Sequence, residues 1–181
     1  MDSIDLGKSW GVPRSVSESI RANGKVLAFF GMVNGVQLTS KEHTGRIVIP
    51  GWALLNQTGV TGKFDVSGTA MMYSDDSAQT WQVSEVLTKG HPIANTQPSE
   101  STVVELSNGS LLVNIRDSLN IVEDKTHPSR CGCRLVARSD DGGATYADVW
   151  EDAALVSGSC AGAMLRSSVS GRIFFVNPHS R

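Results

Sequence analysis

Ser74-Asp75-Asp76-Ser77-Ala78-Gln79-Thr80-Trp81 and Ser139-Asp140-Asp141-Gly142-Gly143-Ala144-Thr145-Tyr146 are one octet written twice. Ser3-Ile4-Asp5-Leu6-Gly7-Lys8-Ser9-Trp10 is a third copy, and the starts lie 71 and 65 residues apart. The shared form is Ser-x-Asp-x-Gly-x-[Ser/Thr]-aromatic, with Ala78 replacing the glycine once. Its physics is that of a hairpin turn. The Asp carboxylate accepts hydrogen bonds from backbone N–H groups of its own turn. The glycine allows positive φ, and the aromatic tucks into apolar surroundings. Ser3, Asp5, Gly7 and Trp10, then Ser74, Asp76 and Trp81, then Ser139, Asp141, Gly143 and Tyr146 are therefore expected to be structural.

Short β-rich runs fill the chain between the octets. They are Lys25–Phe30, Gly35–Leu38, Arg46–Pro50, Thr69–Tyr73, Thr80–Leu87, Thr102–Leu106, Leu111–Arg116, Arg134–Ser139, Ala163–Arg166 and Arg172–Val176. Each is rich in β-branched or long apolar residues and bounded by turn formers. Asn108-Gly109 between VVEL and LLVNI is the strongest hairpin signal. No segment keeps a 3.6-residue period, and only Ser15–Ala22 suggests a helical turn. One hairpin octet per group of strands is the pattern of a β-propeller with one turn per blade. At roughly 40–50 residues per blade, stretched by loops, the expectation is all-β, with about three four-stranded blades in one domain over 1–181.

Composition narrows the partners. The 181 residues carry 16 Lys plus Arg against 18 Asp plus Glu, a net charge of −2 that advertises neither nucleic acid nor an acidic membrane. A hydrophobic share of 40% suffices for a buried core. No apolar run approaches the roughly 20 residues of a membrane span, and the opening MDSIDLGKSW is not read as a signal peptide. The cysteines, 131, 133 and 160, are odd in number, which argues against a closed disulfide framework. Cys131-Gly132-Cys133 lacks a matching second pair, and the four histidines are scattered, so no metal site is expected. Two sequons, at Asn56 and Asn108, matter only in a secreted chain.

The octets resemble the Asp boxes (BNR repeats) of the sialidase (neuraminidase, exo-α-sialidase) family, boxes that also occur in propellers of other function. Other segments follow in the family's order. Phe29-Phe30-Gly31 with Gly35-Val36-Gln37-Leu38 resembles FGPGxGIQL, and Gly45 to Trp52 resembles its GRLVxPxY continuation. Glu100-Ser101-Thr102-Val103-Val104-Glu105-Leu106 through Asn114-Ile115-Arg116 resembles E-x-x-V-x-E-L…N-x-R. Cys160 to Arg166 resembles a degenerate C-Q-x-S-L-L-R, and Phe174 to Pro178 resembles F-S-N-P.

The resemblance implies a partial six-bladed propeller. It implies an exo-α-sialidase-like glycoside hydrolase removing terminal sialic acid from glycoproteins, gangliosides and oligosaccharides, without cofactor or metal. Glu100 would draw the proton from a tyrosine nucleophile, since a neutral phenol is not repelled by the substrate's own carboxylate. Arg116, closing an apolar strand, would grip that carboxylate in fork geometry, with Arg181 as a further member of an arginine triad. Trp52 falls where the family often has a sugar-lining tyrosine; the alternative is a core tryptophan. No residue here matches the family's first triad arginine, its acid/base aspartate or its tyrosine nucleophile. The expectation is thus about half of a propeller, inactive alone. The alternative is a non-catalytic Asp-box propeller binding glycan or protein. Localisation is undetermined, because family members are lysosomal, membrane-associated, cytoplasmic or secreted.

Overall fold

The structure, a computed structural model, describes residues 1–21, 26–31, 33–55, 66–119, 131–157 and 160–178. Arg181 and the sequon at Asn56 lie outside the described residues. The first sheet holds β1 (Val26–Gly31), β2 (Val36–Gln37), β3 (Ile47–Leu55), β4 (Val66–Ser74), β5 (Gln82–Val83) and β6 (Leu87–Thr88). It has six segments but four layers. β1 and β2 both pair with β3 and form one interrupted edge, while β5 and β6 both pair with β4 and form the other. The second sheet is β7 (Pro98–Glu105), β8 (Leu111–Asp117), β9 (Cys133–Ser139) and β10 (Asp148–Val156), antiparallel throughout in the order β10-β9-β8-β7. A two-stranded pair, β11 (Ala163–Arg166) and β12 (Ile173–Val176), begins a third. This is an all-β, partial β-propeller: two complete four-stranded blades, and the opening hairpin of another, among the described residues.

The interior lies between the blades. Val48, Met71 and Tyr73 of the first sheet meet Val103, Val113, Ile115 and Leu135 of the second in one buried cluster. Strand alternation explains the split. Val103 and Glu105 of β7 point toward the first sheet, while Glu100 and Thr102 point toward the third. The Thr102 hydroxyl accepts the backbone N–H of Met164 on β11 at 3.2 Å.

Two octets form the expected hairpins. Ser74–Trp81 joins β4 to β5, and Ser139–Tyr146 joins β9 to β10, in different sheets. All three copies share one hydrogen-bond set. The Ser3, Ser74 and Ser139 hydroxyls donate to Asp5, Asp76 and Asp141 at 2.8–2.9 Å. They also accept the N–H of residues 7, 78 and 143. The hydroxyl at the seventh position, on Ser9, Thr80 and Thr145, donates to the other carboxylate oxygen at 2.6 Å. Position five is left-handed each time, with φ of 82°, 65° and 96°, so Ala78 adopts a conformation suited to glycine. Arg46 ties two boxes together. Its Nε and Nη2 donate to both Asp75 oxygens, and its Nη1 donates to the carbonyls of Asp141 and Gly142.

Several expectations are refined. The short helix falls at Ser17–Arg21. The run Thr80–Leu87 is not continuous: Ser84, bonded through backbone and hydroxyl to Met71, interrupts the edge between β5 and β6. Strand β10, DVWEDAALV, was not anticipated; as an outer edge it buries little and carries acidic residues. Asn34-Gly35 stands between β1 and β2, which share the same edge of β3. Trp10 is 63% exposed, against 7% for Trp81, so the first aromatic does not tuck under its turn. The odd cysteine count conceals one local bridge, Cys131–Cys133, with Cys160 free and exposed.

Candidate functional site

In the second sheet, register places Glu105, Leu111 and Ser139 at one end and Glu100, Arg116 and Arg134 at the other. The first end carries the Asp-box turn. The second gathers charge on the face toward the third sheet. Arg116 Nη1 donates to both oxygens of Glu100, at 2.8 and 2.9 Å. The pair is largely covered, with side chains 22% and 18% exposed respectively. Ser99 supports it: its hydroxyl donates toward Glu100 at 3.2 Å and the Arg116 carbonyl at 3.1 Å, and accepts from Ser118 at 2.7 Å. Arg116 Nε is buried with no hydrogen-bond partner among the described residues.

Arg134 stands beside Arg116, one register step beyond Ile115–Leu135. In the sequence it only opens a strand, yet in the fold it is fully buried. Its Nε donates to Asn114 Oδ1 at 2.8 Å and its Nη1 to the Cys160 carbonyl at 3.0 Å. Its guanidinium lies 5.6 Å from the Phe175 ring centre, while Nη2 is buried without a hydrogen-bond partner among the described residues. Burial above all lowers its pKa to about 10; Glu100 opposes that shift and the like charge of Arg116 adds to it. Asp152, in register with Arg134, completes a row of alternating strands. The argument that flags Arg116, a guanidinium in an apolar run, applies equally to Arg134 in RLVARS and would have found it.

Trp52 lies on β3 opposite Thr69, whose hydroxyl donates to the Ser99 carbonyl beside Glu100. It is half-buried. Neither tyrosine belongs to this end. The Tyr73 ring lies 4.5 Å beneath the Arg46 guanidinium, and Tyr146 closes an Asp box, its phenol pKa raised chiefly by burial. Glu105, close in sequence to Glu100, has a different task. Its carboxylate accepts from the Thr39 N–H and hydroxyl and the Ser40 N–H at 2.7–2.8 Å, tying the second sheet to the first. Burial pushes its pKa up, but these bonds outweigh burial and hold it below the ordinary value. No helix among the described residues is long and apolar enough to cross a membrane.

The model of the BNR repeat-like domain family matches residues 1–181. A sialidase of Micromonospora viridifaciens is 32% identical over 151 residues, covering 83% of this chain and 20% of that protein. A sialidase of Bacteroides fragilis is 26% identical over 146 residues, covering 81% and 22%. The chain thus spans about a fifth of the length of these curated relatives. Among solved structures, the leech intramolecular trans-sialidase with 2,7-anhydro-Neu5Ac superposes with a TM-score of 0.63 at 21% identity, over 98% of this chain and 23% of that one. The Ruminococcus gnavus intramolecular trans-sialidase with oseltamivir carboxylate gives 0.60 at 20%, over 96% and 31%. At these identities the structures speak for the fold.

Proposed function

Since the chain belongs to the BNR repeat-like domain family and its curated relatives are sialidases, we propose that its Glu100–Arg116 end forms part of an exo-α-sialidase site for terminal sialic acid. The observation that carries this reading is the covered Glu100–Arg116 pair, with Arg116 Nε left without a hydrogen-bond partner among the described residues, at the end away from the Asp boxes. Arg116 is the binding group. A sugar carboxylate meets a guanidinium with two parallel N–H···O bonds, a planar match that lysine does not offer. It displaces Glu100 from part of the fork, leaving that carboxylate to accept a proton. Glu100 is the base. It acts on a phenol rather than attacking, because an anionic nucleophile would face the substrate carboxylate at close range. Trp52 offers an apolar face to the sugar or its aglycone, and Arg181 is a further carboxylate-gripping arginine.

Tyr73 and Tyr146 lie away from Glu100, so these 181 residues are expected to bind sialic acid but to turn over sialosides negligibly. That leaves a second reading, a glycan-binding propeller without catalysis, favoured by the position of both tyrosines, Tyr73 against Arg46 and Tyr146 in an Asp box. A glycan array tests the binding: retention confined to glycans ending in sialic acid supports the site, and indifference to that terminus overturns it. A fluorogenic sialoside separates the readings once a segment bearing the tyrosine nucleophile is joined to the chain, since fluorophore release then lost in Glu100→Gln by about 10²–10⁴-fold marks the hydrolase.

A further inference from the structure

The Cys131–Cys133 bridge stands where β9 begins, with Cys133 paired to Val156 of the edge strand β10. Gly132, with φ of 63°, turns the chain between the two cysteines, and its carbonyl accepts the Ser157 N–H at 2.9 Å. Across β9, β10 slips register between Asp152 and Val156, leaving slack beside Cys133. The same strand brings Glu151 alongside, in register with Leu135. Both sulfurs and a Glu151 carboxylate oxygen lie within 4.8 Å of one another; Cys133 is buried, and Cys131 and Glu151 are exposed. Sequence spacing could not reveal this third donor, which sheet register supplies.

We propose that reduced Cys131 and Cys133, together with Glu151, form a site for zinc that the disulfide closes. The donors fit a thiophilic divalent ion: two thiolates and one carboxylate, with water as the fourth ligand on the exposed side. The bridged sulfurs carry no thiolate, so the oxidised chain has no such site. Opening it takes two electrons and two protons: an external dithiol gives up its hydrogens, becomes its own disulfide, and leaves two thiols here. Zinc then replaces the two thiol protons, which pass to solvent. Cys160 takes no part, and the site is independent of sialic acid binding.

The test titrates zinc chloride, against a chromophoric chelator, into protein reduced with a phosphine and into oxidised protein. One zinc per reduced chain and none per oxidised chain is expected, and the reduced chain loaded with cobalt(II) shows a thiolate charge-transfer band. Glu151→Gln, an exposed change, weakens zinc binding at least about tenfold, since losing a ligand costs no less than losing its outer-shell support. Cys160→Ser leaves binding intact. The proposal is overturned if reduced wild-type protein binds no more zinc than the oxidised form or a Cys131→Ser/Cys133→Ser double variant. It is equally overturned if Glu151→Gln binds as wild type does, or if Cys160→Ser abolishes binding. Should the double variant fail to fold by tryptophan fluorescence, oxidised wild type and Glu151→Gln serve as folded controls.

Discussion

The two ends of the same strands treat charge in opposite ways. At the Asp-box end the third-position carboxylate of each octet is answered by neutral donors of its own turn, so Asp5, Asp76 and Asp141 are satisfied within eight residues. At the other end charge answers charge, Glu100 to Arg116, with Arg134 behind, and two guanidinium nitrogens are left without hydrogen-bond partners among the described residues. A locally satisfied turn has nothing left to offer a ligand. A crowded, incompletely satisfied pair of arginines has strong donors to spare, and that is what an anion-binding site requires. Recurrence in sequence therefore marks the scaffold, and unrepeated charge marks the chemistry.

The comparison breaks most sharply at Arg134. Arg134→Ala removes one hydrogen bond within the second sheet and one to the Cys160 carbonyl ahead of the third, strands the Asn114 oxygen and opens a cavity; a stability loss of about 3 kcal/mol is expected in urea unfolding. Asp141→Ala, at the opposite end, costs about 2 kcal/mol by the same measurement but leaves sialic acid binding unchanged.

Acid probes all three boxes together. Asp5 and Asp76 have pKa values lowered to about 2, with bonds from Ser9 and Thr80 the main cause, and Asp141 is lowered as well, its bonds outweighing burial. Their folded values lie below the unfolded value of about 4, so their contribution is complete above about pH 4. It is lost as pH falls toward about 2. Thermal melts at pH 5, 3 and 2 should show the midpoint dropping within that window.

The smallest effect sharpens the comparison among the boxes themselves. Ala78→Gly relieves a left-handed alanine worth about 1–2 kcal/mol and is offset by about 0.5–1 kcal/mol of unfolded-chain entropy. The expected net gain is about 0.5 kcal/mol, read as a higher urea midpoint at unchanged slope.

Most of this architecture was legible because it rests on local rules. The octets carry their own hydrogen bonds, and Asn108-Gly109 makes the β7–β8 hairpin with Gly109 at φ 89°. Strand β10 escaped notice because an edge strand need not be apolar: WEDAA pairs through backbone to β9 while its side chains meet solvent. Glu100 and Arg116 were legible through motif resemblance, whereas their direct pairing, across 16 residues, required the register of β7 on β8. Arg134 carried the same signal in sequence as Arg116, a guanidinium in an apolar run, but its burial was not legible there. A strand-opening arginine reads as surface until a third sheet, beginning after Cys160, is packed over it.

The claim that one end of these strands is scaffold and the other is a carboxylate site reduces to one titration. N-acetylneuraminic acid and its uncharged methyl ester are titrated by NMR into wild-type protein, Arg116→Met and Asp141→Ala. The account predicts binding of the acid and not the ester, loss of at least about tenfold in Arg116→Met, and wild-type affinity in Asp141→Ala. Equal binding of acid and ester, or undiminished affinity in Arg116→Met, would contradict it.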